Sequence, residues 1–201
     1  MSEQKKRTII VLMILCIYCG IPILILLNFL NFDHKFYYLT FGAILVYSVM
    51  RFLGFNNSEM GITLKETKSS IKHVIHITVF LLIAAIILFF TGKGQRFQPN
   101  ETAVFYFFYL FISSPVQEFL YRGALKKMLD YLGASETLKL ILSTAAYSFV
   151  HIIYRDPLTL FLTFIIGLIW YKCYSKTDNL IGVSMSHAVL GIVTIVTGVI
   201  D

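Results

Sequence analysis

Charge is what this sequence has least of. Only 14% of its 201 residues are Asp, Glu, Lys or Arg, where a soluble domain approaches about a quarter. With 57% apolar residues and a mean hydropathy of +0.76, a water-soluble globule is excluded and an integral membrane protein is indicated. Cysteine is also scarce: Cys16, Cys19 and Cys173 are an odd set in apolar segments, which excludes an extracellular disulfide framework. Cys16 and Cys19 spell C-x-x-C without a strand-turn-helix context, so they read as helix packing rather than a redox pair. No A-x-A-like cleavage site follows the first apolar run, so that run reads as a retained span, not a signal peptide. Repeated halves, a usual mark of transporters, are missing. So is any nucleic-acid-binding module.

What is present is apolar sequence in blocks. Segments at about 8–31, 36–55, 73–91, 102–129, 137–154, 158–175 and 179–200 predict about seven spans, each near the roughly 20 residues a bilayer requires. The expected fold is all-α: one polytopic helical bundle over 1–201, with no room for a sizeable soluble domain. Orientation follows from basic residues. With the N-terminus cytoplasmic, that side carries Lys5, Lys6, Arg7, Arg51, Lys65, Lys68, Lys72, Arg122, Lys126, Lys127, Lys139, Lys172 and Lys176, leaving only Lys35, Lys93, Arg96 and Arg155 on the other. That asymmetry predicts a cytoplasmic N-terminus, and membrane lipid is partner enough for the net charge of +6. The stretch NNSEMGITLKETKSS, 56–70, reads as a solvated connection.

Ionisable residues inside spans are costly and normally mark a site. His73 and His76 sit beside Lys72 at an interface, where the cost is small. Glu118, Arg122, His151 and His187 lie deeper. The fourth and fifth spans form a hairpin with Gly133 as a C-cap and Ser135 as an N-cap. Glu118 precedes that turn by about as many residues as His151 follows it, so at about 1.5 Å per residue their depths match within roughly 3 Å. His187, on a span starting near Asn179, reaches a similar level. Arg122 follows Glu118 by one helical turn, the spacing of an intrahelical ion pair. Pro115 cannot donate to the carbonyl of Phe111 and predicts a kink just ahead of Gln117.

Gln117-Glu118-Phe119-Leu120-Tyr121-Arg122, then Tyr147-x-x-x-His151, then His187-x-x-x-Gly191, resembles the CPBP (Abi) family of intramembrane proteases, which includes the CAAX-processing endopeptidases. The family pattern is E-E-x-x-x-R, F-x-x-x-H and H-x-x-x-N or D, and the likeness covers about 102–195. It implies an endopeptidase in which a glutamate and His151 activate water while His187 and an asparagine steady the oxyanion. It implies no cofactor, a peptide or protein substrate at the cytoplasmic side, and a bacterial plasma membrane as location. The candidate catalytic residues are therefore Glu118, His151 and His187, supported by Gln117, Arg122, Tyr147 and Gly191.

Two family groups are absent. Gln117 stands where the first glutamate is expected, and an amide cannot take that proton; Gly191 stands where the asparagine is expected. Three readings stand open: Glu118 serves as base, the protein is catalytically silent, or Gln117 is an introduced change. The substrate class is a lipidated CAAX-like tail or a bacteriocin or leader peptide. The alternative function is a non-catalytic peptide-binding or bacteriocin self-immunity protein. Glu118, His151 and His187 also compose a conceivable metal set, but with no H-E-x-x-H and no outer carboxylate to orient either ring, no metal is expected.

Overall fold

The computed structural model describes residues 3–92 and 94–200. Lys93 and the side chains of Lys6 and Arg7, which enter the charge count, lie outside the described residues. Among the described residues every regular element is helical: α1 Glu3–Leu26, α2 Lys35–Phe52, α3 Thr67–Phe90, α4 Ala103–Tyr131, α5 Glu136–Phe149, α6 Pro157–Tyr174 and α7 Leu180–Val196.

Helices therefore occupy all seven apolar segments, but only α1, α3, α4, α5 with the turn that extends it to Tyr154, and α6 are long and apolar enough to cross a membrane. The two short cases have local causes. In α2 the charges of Lys35 and Arg51 trim the apolar run from both ends. In α7 the helix stops at Val196, after 17 residues, about 25 Å against a hydrocarbon core of about 30 Å. It survives at that length because it packs on α3 and the middle of α4, and buries Gly182, Val183, Ser186, His187, Ala188 and Leu190.

Caps predicted from sequence form at both ends of the core hairpins. Gly133 adopts φ +74° and Ser135 accepts a hydrogen bond from the Leu138 N–H, turning α4 into α5. Asn179 caps α7 through the Ile181 N–H, while its amide donates to the carbonyls of Thr63 and Lys65 at 2.8 and 2.6 Å. Most of 56–70 is exposed, as a solvated connection should be, but it is anchored at its middle. Met60 in this connection is fully buried and the Gly61 carbonyl accepts from the Leu180 N–H at 3.0 Å, so these two residues belong to the bundle's packed end.

Close approach of α3 and α7 depends on Gly182. A Cβ there would lie 2.6 Å from Ser70 Oγ and collide with the Ser70 backbone, while the Gly182 N–H donates to that same Oγ at 3.0 Å. Gly182→Ala is expected to destabilise by about 1–3 kcal/mol through overpacking. A lower midpoint of thermal unfolding in detergent checks it; an unchanged midpoint would show that α3 and α7 separate freely.

Candidate active site

The motif helix α4 is not a uniform α-helix. It widens to π-helix over Tyr109–Ser113, returns to α over Ser114–Glu118, and widens again over Phe119–Ala124. Pro115 supplies the reason for the first widening, since it lacks the N–H an α turn would use; the Ser114 N–H reaches Tyr109 O instead. Gln117 and Glu118, adjacent in sequence, meet different surroundings.

Glu118 and Arg122 are fully shielded from water. Glu118 Oε1 accepts from Arg122 Nη1 at 3.3 Å and from His187 Nδ1 at 2.7 Å. Arg122 also donates to the Gly167 carbonyl at 3.5 Å, and its guanidinium lies 4.1 Å from the Tyr147 ring centroid, a cation–π contact. The expected i,i+4 pair thus forms. The expected facing of Glu118 and His151 does not: the carboxylate turns to His187, and the buried Tyr147 packs against Arg122, His151 and His187 together. Helical rise fixes depth and not the direction of a side chain, and here the Glu118 carboxylate points at His187.

The two histidines have defined tautomers when neutral. His151 Nδ1 lies 2.9 Å from the Tyr147 carbonyl, which can only accept, so Nδ1 carries the proton and Nε2 keeps its lone pair. His187 Nδ1 likewise donates to Glu118, leaving Nε2, 3.5 Å from the Tyr147 hydroxyl, as the free nitrogen. Trp170 stacks on the His187 ring at 4.8 Å and 24° and is itself held by Ser186 Oγ at 2.9 Å. His187 is therefore fixed on three sides.

A cavity of about 330 Å³ opens beside these rings, with Tyr109, Gln117, Tyr147, His151, His187 and Gly191 on its polar wall. Apolar side chains of α3 and α6, among them Leu81, Leu88, Ile165 and Ile169, form most of the remainder. Gln117 Nε2 donates to Ser113 Oγ at 3.0 Å, while Gln117 Oε1 is buried without a hydrogen-bond partner. Glu118 is not part of this lining. Gly191 sits against Tyr109: a Cβ there would lie 2.6 Å from ring carbons Cε1 and Cζ, so the tyrosine fills the space an asparagine side chain would need.

The structure accordingly divides the seven sequence candidates. Gln117, Tyr147, His151, His187 and Gly191 border the cavity; Glu118 and Arg122 stand behind His187. Tyr109, Ser113, Gly167 and Trp170 were not anticipated. Trp170, the sole tryptophan, offered a signal in its rarity, whereas Tyr109 needed the π turn to reach Gly191. His73 and His76 lie on α3, away from the cavity lining. Among the described residues, no three His, Cys, Asp or Glu side chains are grouped to hold a metal ion.

The cavity lies at one end of the bundle. Its rim is Phe32, Lys35, Glu101, Tyr154 and Ile200, on connections that the loop-charge bias assigns to the non-cytoplasmic side.

Comparison with known families supports the same region. The family model described as Type II CAAX prenyl endopeptidase Rce1-like matches residues 99–193. No curated protein and no solved structure matches the chain.

Proposed function

We propose that the protein hydrolyses a peptide bond in a membrane-proximal segment, using His151 as the base, on the premise that residues 99–193, which match the family model described as Type II CAAX prenyl endopeptidase Rce1-like, form a domain of that kind. The observation that carries this reading is the pairing on one cavity wall of a histidine with a free Nε2 and an amide with an unpartnered Oε1. Gln117 cannot remove a proton, but its carbonyl oxygen accepts a hydrogen bond from water.

In the proposed sequence, water oriented by Gln117 Oε1 gives a proton to His151 Nε2 as its oxygen bonds to the scissile carbonyl carbon. Negative charge gathers on the carbonyl oxygen, facing the Tyr109 and Tyr147 hydroxyls and the His187 ring. The C–N bond then breaks, and His151 returns the proton to the departing amine. Glu118 and Arg122 are positioning residues: the carboxylate holds the His187 ring through Nδ1, and Arg122 in turn holds the carboxylate. The largely apolar wall suits a membrane-anchored substrate, with a lipidated CAAX-like tail or a bacteriocin or leader peptide as the classes proposed.

The neutral Gln117 favours a second reading, in which the same cavity binds such a peptide without cutting it, as a self-immunity protein would. A cleavage assay in detergent on a membrane-anchored peptide library separates the two. Gln117→Glu is expected to raise the rate by at least tenfold, because a carboxylate adds proton acceptance to orientation. Cutting by neither form favours the binding reading.

A further inference from the structure

The bundle has two unlike ends. At one end Met60, Asn179 and Leu180 close the interior, and ion pairs of Lys126 with Asp178, Lys127 with Glu59, and Lys139 with Asp130 and Glu136 cross it. At the other, Arg96 joins Asp156 at 2.6 Å and the Val199 carbonyl at 3.1 Å, Arg155 donates to the Leu26 carbonyl at 2.8 Å, and Phe32 meets Tyr154 edge-on at 5.7 Å.

Most of the cavity wall comes from the half of the bundle nearer this second end, with α6 reaching deepest, from Leu162 to Trp170. It takes α3 only from Leu81 onward, α4 only up to Gln117, the last turn of α5 with Tyr154, and α7 only from His187 onward. None of its lining comes from 53–72, 125–146 or 171–186. Among the described residues, the closed end holds most of the basic residues, and the open end only Lys35, Arg96 and Arg155. Basic residues concentrate on the cytoplasmic side of membrane proteins.

We infer that the cavity opens on the non-cytoplasmic face and takes its peptide from that side: an extended segment of an exported or outward-anchored chain, rather than the tail of a cytosolic protein. The substrate half of this inference rests on the hydrolytic reading above; the direction of opening does not. The closed end acts as a floor, since a Cβ on Gly123, over Met60, would already meet the Met60 carbonyl, Leu180 Cδ1 and Phe119 Cδ2. A chain arriving from the cytoplasm would have to displace that packing before reaching His187.

The test starts with Cys16, Cys19 and Cys173 replaced by serine in the full chain, followed by single cysteines at three positions. Glu101→Cys reports the rim, Thr194→Cys the cavity wall, and Lys176→Cys the closed end. Each is treated with a membrane-impermeant maleimide, in spheroplasts and in inverted vesicles. Labelling of Glu101→Cys and Thr194→Cys in spheroplasts, with Lys176→Cys labelled only in inverted vesicles, is the expected result. The reverse pattern, or labelling of any one position from both sides, overturns the inference.

A single-span reporter carrying a randomised flank then assigns the substrate side. Cutting of outward flanks alone is expected, and cutting of inward flanks overturns it. If neither flank is cut while the labelling holds, the hydrolytic reading falls and the outward opening stands.

Discussion

Replacing His151 by alanine is expected to lower peptide cleavage by about 10²–10⁴-fold, the usual contribution of a positioned general base. The loss belongs in kcat rather than KM, because the His151 ring is assigned to the attacking water and not to holding the peptide. The fold should tolerate the change. His151 is half-buried, and its ring bonds to its own helix through the Tyr147 carbonyl, so truncation leaves no distant partner stranded. Single-turnover kinetics on the detergent-purified variant, with a thermal melt to show an intact bundle, are the measurements. Wild-type cleavage by His151→Ala would remove His151 from the chemistry and leave His187, with its Glu118 partner, as the base.

Arg122→Met is expected to cost about 3–5 kcal/mol of stability, the range for breaking one side of a buried ion pair. The size follows from what remains. Glu118 Oε2 already lacks a hydrogen-bond partner, and without the guanidinium its buried carboxylate would be left with His187 as its one partner. The cation–π contact with Tyr147 and the bond to the Gly167 carbonyl disappear as well. Pairing the change with Glu118→Gln should recover a large part of the loss, because a neutral pair has no uncompensated charge, although activity should not return while His187 lacks its carboxylate. Melting midpoints of the two single variants and the double in one detergent form the cycle. A double variant no more stable than Arg122→Met would show that packing, not charge, sets the role of Arg122.

Some of this was legible before any coordinates. Seven apolar blocks with scarce charge require helices in a bilayer, since a spanning segment must satisfy its backbone internally. Capping residues such as Gly133, Ser135 and Asn179 act within a few residues of themselves, so their effect is local and readable. The spacing of Glu118 and Arg122 is one helical turn, again a local quantity. The identity of the ring-bearing and carboxylate residues at depth followed from cost alone: a buried charge needs a reason.

The tertiary structure decided what depends on where helices meet. Adjacent α-helical residues point about 100° apart, and only the packing of neighbouring helices put Gln117 on the cavity and Glu118 on His187. Packing of Tyr147 on His187, of Trp170 on His187, and of Tyr109 over Gly191 joins residues on different helices, and no local pattern encodes such meetings. The same holds for the two ends. Sequence determined how positive charge divides between the loops; only the packing of Met60, Asn179 and Leu180 at one end, and the gap among α3, α4, α6 and α7 at the other, decided which end is open. Charge bias is a sum over residues and survives any fold, whereas a cavity is a difference between neighbouring surfaces and exists only once they are in contact.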